Sequence, residues 1–473
     1  MTEPGGRGPS PGAAGSAQRP GAPTLEEFGY RQELRRSMSL TDVVVYGLIY
    51  IVPISPLAVF GLIFNFSAGM VGLVFVVAAV AMVFSGLSYR EMALHYPIAG
   101  SVYSYVRLGL NSFVGFLAGW AILLDYLLLP ALASVFSAAA MVSLWSAVPA
   151  WAWIIVFVVL AAGINLGGIA VTATMNKVFL LIQLVVLAIF VVWVLSDLVG
   201  LRAHLMLWPF FDPDRFSWSI VFGAIPIAAL AFIGFDAIST LNEEARGGGR
   251  AVAKATMIVL VAVTFLFVLQ VYLAAIYVPR GTTFPDGDAT NSAYYDLAGQ
   301  VVGVWFKVLV TLTSALIAIF ANSIASQATS SRLVFSMARD RQLPRFLSTV
   351  SARGVPRNAM LFIALLSLVI GIAGTQEEEL LTTLVTFGAI TAYILLHIAV
   401  LVHFGVRGRS RKVLVHWISP VIGTAVLLYA LWNADANAKI LGLSWLSIGI
   451  LIAAYFRFSG RLDTDRPGAP THP

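Results

Sequence analysis

Between Tyr126 and Asn176 the chain runs for 51 residues without an Asp, Glu, Lys or Arg. A membrane-crossing helix needs about 20 mainly apolar residues, so this stretch holds one whole crossing and most of another. The rest of the chain agrees with it. Of 473 residues, 59% are hydrophobic and 11% charged, against about 25% charged in a soluble globular protein. That is too little polar surface to hold a folded body of this size in water. Because backbone groups in hydrocarbon must be satisfied within the chain, the apolar runs are read as helices, and the fold class as all-α and integral to a membrane.

Apolar runs between polar breaks predict twelve crossings, near residues 41–64, 69–88, 110–142, 149–167, 177–197, 217–241, 252–277, 301–331, 358–374, 380–403, 415–434 and 439–457. An even count puts both termini on one side. With the termini in the cytoplasm, 24 of the 29 Lys and Arg fall in cytoplasmic tails, loops or adjoining helix ends, leaving Arg202, Arg215, Arg280, Lys307 and Lys439 outside. Membrane insertion favours this bias. The outer loops are acidic, with Asp286, Asp288, Asp296 and Glu377 to Glu379. The net charge of +6 thus reflects topology and is not read as a nucleic-acid footprint. Residues 1–37, rich in Gly, Pro, Ala and Ser up to residue 28, are expected to form a disordered cytoplasmic tail, with a second tail at 459–473. Without a secretory signal pattern, the first crossing is expected to stay uncleaved in the plasma (inner) membrane. The absence of cysteine excludes disulfides and cysteine metal sites. No extramembrane stretch is long enough for a conventional catalytic domain, and no metal or nucleophile cluster stands out. An enzyme is therefore not expected, nor a cofactor.

Two crossings carry helix breakers near their middles. In the first, Pro53 and Pro56 predict a break around Val52 to Leu57. In the sixth, Pro226, Gly223 and Gly234 accompany a break expected around Ala229 to Phe235, with Asp236 just beyond. Crossings one and six correspond in a scheme of two five-helix repeats, at 41–200 and 217–403, followed by two further helices at 415–457, the whole transporter domain spanning 38–458. Interruptions in corresponding positions point to a binding site at the repeat interface.

Intramembrane acids are costly, so Asp125 and Asp236 are candidate functional groups: each would bind an ammonium group, carry a proton, or make a structural hydrogen bond or ion pair. Tyr50, Tyr126, Phe232 and Phe235 flank these features, either lining a pocket and covering an ammonium by cation–π attraction or simply packing. Ser55 is a candidate half-helix cap or substrate contact, and Ile54 and Ile233 are candidate backbone contributors. His397 reads as a proton relay or a satisfied structural histidine. Asn322, Ser323 and Gln327 make the eighth crossing partly polar, which suits helix packing or a lined cavity.

The segments FIGFDAISTLNEEARG at 232–247, SQATSSRLVFSMARDRQLPRFL at 326–347 and GWAILLDYLLLP at 119–130 resemble the amino acid–polyamine–organocation permeases over about residues 38–458. The third is most similar to the putrescine and polyamine importer branch. The resemblance implies a LeuT-like fold of two inverted five-helix repeats plus two helices, with helices 1 and 6 broken. It places Ile54, Ser55 and Pro56 in the unwound turn of helix 1, a carbonyl of Ile233 against an amine, and Asp236 at the family's acidic position. Leu230 stands where some relatives carry an aromatic gate. Gln183 matches a helix-five lysine of some proton-coupled relatives and cannot carry that proton, while Lys177 reads as a residue snorkelling to the cytoplasmic surface. Where relatives have small residues in the helix-1 turn, this chain has Pro56, which removes an amide contact to a substrate carboxylate.

The reading that follows is a secondary active transporter importing a small amine-containing solute, a putrescine-like amine ahead of an amino acid, by proton symport. The substrate-site candidates are Tyr50, Ile54, Ser55, Pro56, Asp125, Tyr126, Leu230, Phe232, Ile233, Phe235, Asp236 and Ser323, with Asp125 and Asp236 also the coupling candidates. An amino acid or amine exchanger is the near alternative, and a non-transporting receptor or scaffold the distant one. Membrane lipid is the other expected partner. No oligomeric state is assigned.

Overall fold

The computed structural model describes residues 25–28, 31–144, 147–285, 288–375, 378–432 and 436–458. The expected tail at 459–473 and most of that at 1–37 lie outside the described residues, as do Asp286 and Glu377; Asp288, Glu378 and Glu379 are described by backbone alone. Sixteen α-helices follow one another: α1 (Leu40–Ile51), α2 (Pro56–Phe66), α3 (Val71–His95), α4 (Ser101–Gly109), α5 (Ser112–Leu144), α6 (Ala150–Leu166), α7 (Ile169–Val199), α8 (Trp218–Leu230), α9 (Gly248–Ala275), α10 (Asp288–Val301), α11 (Val304–Leu312), α12 (Ile319–Arg339), α13 (Arg357–Ala373), α14 (Glu378–Val400), α15 (Ser419–Trp432) and α16 (Ala436–Phe458). No strand occurs among the described residues.

By length and composition, seven of the described helical spans suit a membrane crossing, or eight when α1 and α2, bent by 51° across their break, count as one. Three shorter apolar helices, Ala150–Leu166, Trp218–Ala229 and Arg357–Ala373, accompany them. Among the described residues the runs read as apolar are mainly helical, apart from the breaks in the first and sixth, and the other differences are local. The fifth begins at Ile169, ahead of Lys177. The eighth does not stop at residue 331: α11 passes through a π-helical turn, Thr313–Ala318, into α12, which reaches Arg339. Residues 321–338 are buried, so the polar stretch beyond residue 331, expected to lead into a loop, continues the interior helix. Two segments expected as loops, Ser101–Gly109 and Asp288–Val301, are helical.

Those polar residues of α12 are tolerated because each charge meets its complement. The Arg332 guanidinium donates to both oxygens of Glu244, at 2.9 and 2.8 Å. Arg339 does the same to Glu243, at 3.0 and 2.7 Å. Glu243 also accepts the backbone N–H of Ala99 at 3.0 Å, and the Asn242 amide donates to the Tyr105 hydroxyl at 2.7 Å. Two of the three segments that carry the family resemblance, 232–247 and 326–347, are thereby clamped together at one end of the bundle, the basic face. The N-terminal stretch lies over the clamp, with the amides of Ser37 and Met38 donating to the Glu244 carbonyl at 3.0 and 3.1 Å. Lys177 pairs with Asp42, so it ties α7 to the start of α1 rather than only reaching for the surface. At the opposite end Arg280 bridges Asp212 and Asp214, and its hydrogen bond holds the Asp212 carboxyl below the usual carboxylate range.

Breaking a buried ion pair by removing one partner costs about 3–5 kcal/mol, whereas replacing both partners with apolar groups costs far less. Arg332→Leu is therefore expected to lower the unfolding temperature in detergent strongly, and Arg332→Leu with Glu244→Leu to recover most of the loss. A single variant that melts with the parent protein would show that the pair is no clamp.

Candidate functional site

The break in the first span forms because Pro53 and Pro56 cannot donate along the helix and Val52 turns back at φ 63°. The chain re-forms at once, with Ser55 N–H donating to the Val52 carbonyl at 2.8 Å and Leu57 N–H to the Ile54 carbonyl at 3.1 Å. Interrupting a helix strands carbonyls, and two are caught by side chains from other helices. The Asn322 amide donates to the Tyr50 carbonyl at 2.6 Å, and the Gln270 amide to the Pro53 carbonyl at 2.9 Å. In the sixth span α8 gives way after Leu230 to a turn in which Gly234 adopts φ 113°. A tight 3-10 helix, Phe235–Leu241, follows and carries Asp236 in its first turn. The two breaks touch, since a side chain on Gly234 would enter the Tyr50 ring.

A third interruption serves the same place. Pro130 inside α5 has no N–H for the Tyr126 carbonyl four residues earlier. The Ser330 hydroxyl of α12 donates to that carbonyl instead. This fixes Tyr126, whose own hydroxyl donates to Asp236 Oδ2 at 2.5 Å. The Tyr393 hydroxyl of α14 donates to Asp236 Oδ1, also at 2.5 Å. Both oxygens of the buried carboxylate are thus engaged. The Ser239 hydroxyl donates to Ser101 Oγ at 2.9 Å, and Ser101 lies 3.3 Å from the Tyr126 hydroxyl, so the network continues to the start of α4.

Asp125, beside Tyr126 on α5, has the opposite status. It is fully buried, yet neither carboxyl oxygen has a hydrogen-bond partner. It lies within electrostatic reach of Asp236 and Tyr50. Gly388 of α14 lets the helices close on this point: a side chain there would lie 2.6 Å from the Ala121 carbonyl oxygen and 3.2 Å from the Asp125 nitrogen. The Tyr50 and Ser55 hydroxyls are likewise buried without partners. Around Asp236, the rings of Phe235, Tyr89 and Tyr393 meet edge-on or tilted at 5.4–5.6 Å. Together these groups form a charged centre with aromatic walls and unused acceptors, which suits a cation with N–H donors.

The residues singled out from the sequence divide accordingly. Tyr50, Ser55, Asp125, Tyr126, Phe235 and Asp236 converge at the two breaks, with Ile54 and Pro56 buried in the first. Phe232 points elsewhere, packing on Phe267 at 5.0 Å and Phe75 at 6.4 Å. Ile233 lies half-buried in the second break. Ser323 faces α5, 3.4 Å from Ser134 Oγ. Leu230 is described by its backbone only. His397 has both ring nitrogens engaged, by Ser88 at 2.9 Å and Ser85 at 3.0 Å, which is a packing role. Gln183 is buried with neither end of its amide partnered. Tyr393, Asn322 as a cap, Gln270 and Ser330 complete the centre beyond the sequence reading. Ser330 lies within the segment 326–347 singled out from the sequence, and Tyr393 one helical turn before His397.

Broken helices meeting at buried acids, in an all-helical bundle whose helices suit a membrane, define an integral membrane transporter. The model of the amino acid permease family matches residues 38–455, and the chain belongs to that family. It is 29% identical over 433 residues to the low-affinity putrescine importer PlaP of Escherichia coli, covering 90% of this chain and 94% of that one. It is 27% identical over 413 residues to the branched-chain amino acid permease BcaP of Bacillus subtilis, covering 81% and 84%. A methylthioribose transporter of Bacillus subtilis is 23% identical over 470 residues, covering 92% and 96%. These relatives are transporters rather than enzymes.

Leaving a buried acceptor without its donor costs about 1–3 kcal/mol. Tyr393→Phe and Tyr126→Phe are each expected to lower stability by that order in thermal unfolding. Tyr50→Phe removes a hydroxyl that has no partner and is expected to be neutral or slightly stabilising. Equal losses in all three would contradict the assigned hydrogen bonds.

Proposed function

We propose that the protein imports a small cationic amine by proton symport, putrescine-like diamines ahead of neutral amino acids. The observation that carries this reading is the inequality of the two buried acids: Asp236 has both oxygens occupied by phenol donors, and Asp125 has neither. Two carboxylates confined together in a dry site repel each other unless a proton or a cation accompanies them. An ammonium group seated at Asp125 meets that need, and so does a proton in its absence. The Tyr50 and Ser55 hydroxyls offer the further acceptors that a second amine requires. Pro56 has no N–H to offer a substrate carboxylate, which argues against an α-amino acid held in the usual way. The similarity to a putrescine importer supports the same choice.

The repeats at 41–200 and 217–403 frame this centre in the proposal, with 415–457 outside them. The basic face, which carries Arg332, Arg339 and Arg353, is assigned to the cytoplasm together with both termini, in the plasma (inner) membrane. Exchange of amines or amino acids is the second reading, and the branched-chain amino acid permease among the relatives supports an amino acid as its cargo.

In proteoliposomes, labelled putrescine is expected to accumulate under an inward proton gradient and to stop doing so when a protonophore collapses it. Uptake unchanged by the protonophore would end the symport reading, and dependence on internal substrate alone would establish exchange. Asp125→Asn is expected to lower putrescine affinity at least about tenfold, since a hydrogen bond to a charged group contributes about 1.5–3 kcal/mol. Undiminished affinity in a folded Asp125→Asn protein would remove Asp125 from the site. Binding without any translocation by the parent protein would make it a receptor.

A further inference from the structure

The basic face holds a second concavity, of charge opposite to that of the buried acids. A cavity of about 560 Å³ lies between the N-terminal segment, the start of α7, Arg246 and the loop before α13. Four cationic side chains line it, Arg35, Lys177, Arg246 and Arg353, and one carboxylate, Asp42. Asp42 is committed elsewhere: it pairs with Lys177 and closes a capping box with Ser39 at the head of α1. The three guanidiniums have no acidic partner among the described residues; Arg353 only donates to the Leu166 carbonyl, at 3.2 Å. Ser37, also on the lining, has a buried hydroxyl with no partner.

The backbone adds to this charge. The 31-residue α7 begins at the cavity wall after Gly168, which adopts φ 107° and supplies no side-chain cap. A side chain on Gly168 would find nothing closer than Arg353 at 3.8 Å, so the first turn of the helix is open. Its free amides and dipole favour an anion. Basic residues collect on one face of any membrane protein, but such residues are expected to be scattered in water. Here three exposed guanidiniums without an acidic partner among the described residues line one half-open cavity beside an open helix start.

We propose that this cavity is a binding site for a phosphate-bearing anion. Planar guanidiniums match phosphate oxygens in pairs, and helix starts receive them through the backbone. The volume exceeds a single phosphate and accommodates a phosphorylated headgroup or a small soluble phosphate compound. The occupant ties together segments that are otherwise separate in sequence: 35–38, which also hold the Glu244 carbonyl, the head of α7, Arg246 and Arg353. Its binding therefore braces these segments of the basic face against one another.

The test uses the full-length protein in phosphatidylcholine nanodiscs, read by thermal unfolding and by labelled putrescine uptake in matched vesicles. Inorganic phosphate is titrated in one arm, and phosphatidylglycerol replaces part of the phosphatidylcholine in the other. Stabilisation by phosphatidylglycerol alone identifies a lipid headgroup, and stabilisation by inorganic phosphate identifies a soluble ligand. Arg246→Gln with Arg353→Gln is expected to weaken the response at least about tenfold. The corresponding lysine pair is expected to retain part of it, and Arg409→Gln with Arg411→Gln, elsewhere on the surface, all of it. The proposal is overturned if neither ligand stabilises the parent protein, or if the remote pair abolishes the response as fully as the cavity pair. The lysine pair separates loss of the site from loss of the fold.

Discussion

Hydrocarbon offers no hydrogen bonds, so a helix that breaks inside it must find partners for the carbonyls it frees, and those partners have to come from neighbouring helices. That requirement organises this molecule. The breaks at residues 52–55 and 231–234 and the proline within α5 each expose backbone groups. Asn322 and Ser330 of α12 and Gln270 of α9 receive three of the freed carbonyls. The polar sequence of α12 follows from this. Its amide and hydroxyl groups hold the broken spans open in defined places, and its arginines fix its own end to the residues following the second break.

Charge obeys the same constraint with one exception. Glu243 and Glu244 are buried with two arginines in bidentate geometry, and Asp236 lies between two phenols. Asp125 alone among these acids has no donor, although it is as deeply buried. Where three of four buried acids are satisfied and one is not, that one is the place to look for a ligand. The Tyr50 and Ser55 hydroxyls, without partners at the adjoining break, extend the exception from a residue to a site.

The legible parts of this arrangement were those written in consecutive residues. Proline and glycine act on their own neighbours, so both breaks could be placed to within a few residues from sequence, and intramembrane acids identify themselves by composition. The illegible parts depend on residues far apart in the chain. Tyr393 reaches Asp236 across 157 positions and Ser330 reaches the Tyr126 carbonyl across 204. In sequence, Ser330 is one hydroxyl in a polar run, and that run was taken for the end of a helix. It is interior because Glu243 and Glu244 wait for its arginines. Lys177 misled for the same reason, since only the fold shows Asp42 beside it. Phe232 and Phe235, three residues apart, could not be told apart until the 3-10 geometry turned one toward the acids and left the other against Phe75 and Phe267.

The unequal treatment of the two acids also bears on how coupling would work under the proposed function. At the position where the resemblance implies a helix-five lysine in some proton-coupled relatives, this chain has Gln183, whose amide cannot carry that proton. Any proton that accompanies the substrate must therefore use another group. Asp236 is the poorer carrier because a proton on either oxygen displaces the phenol hydrogen bond which that oxygen accepts. Asp125 forfeits nothing of the kind, and it can hold a proton or an ammonium group but not easily both. A site in which one acid is fixed as an anion and its neighbour alternates between proton and amine links the two cargoes by competition at a single carboxylate. In that scheme tyrosines matter as much as acids, because Tyr126 and Tyr393 are what keep Asp236 from taking the other role.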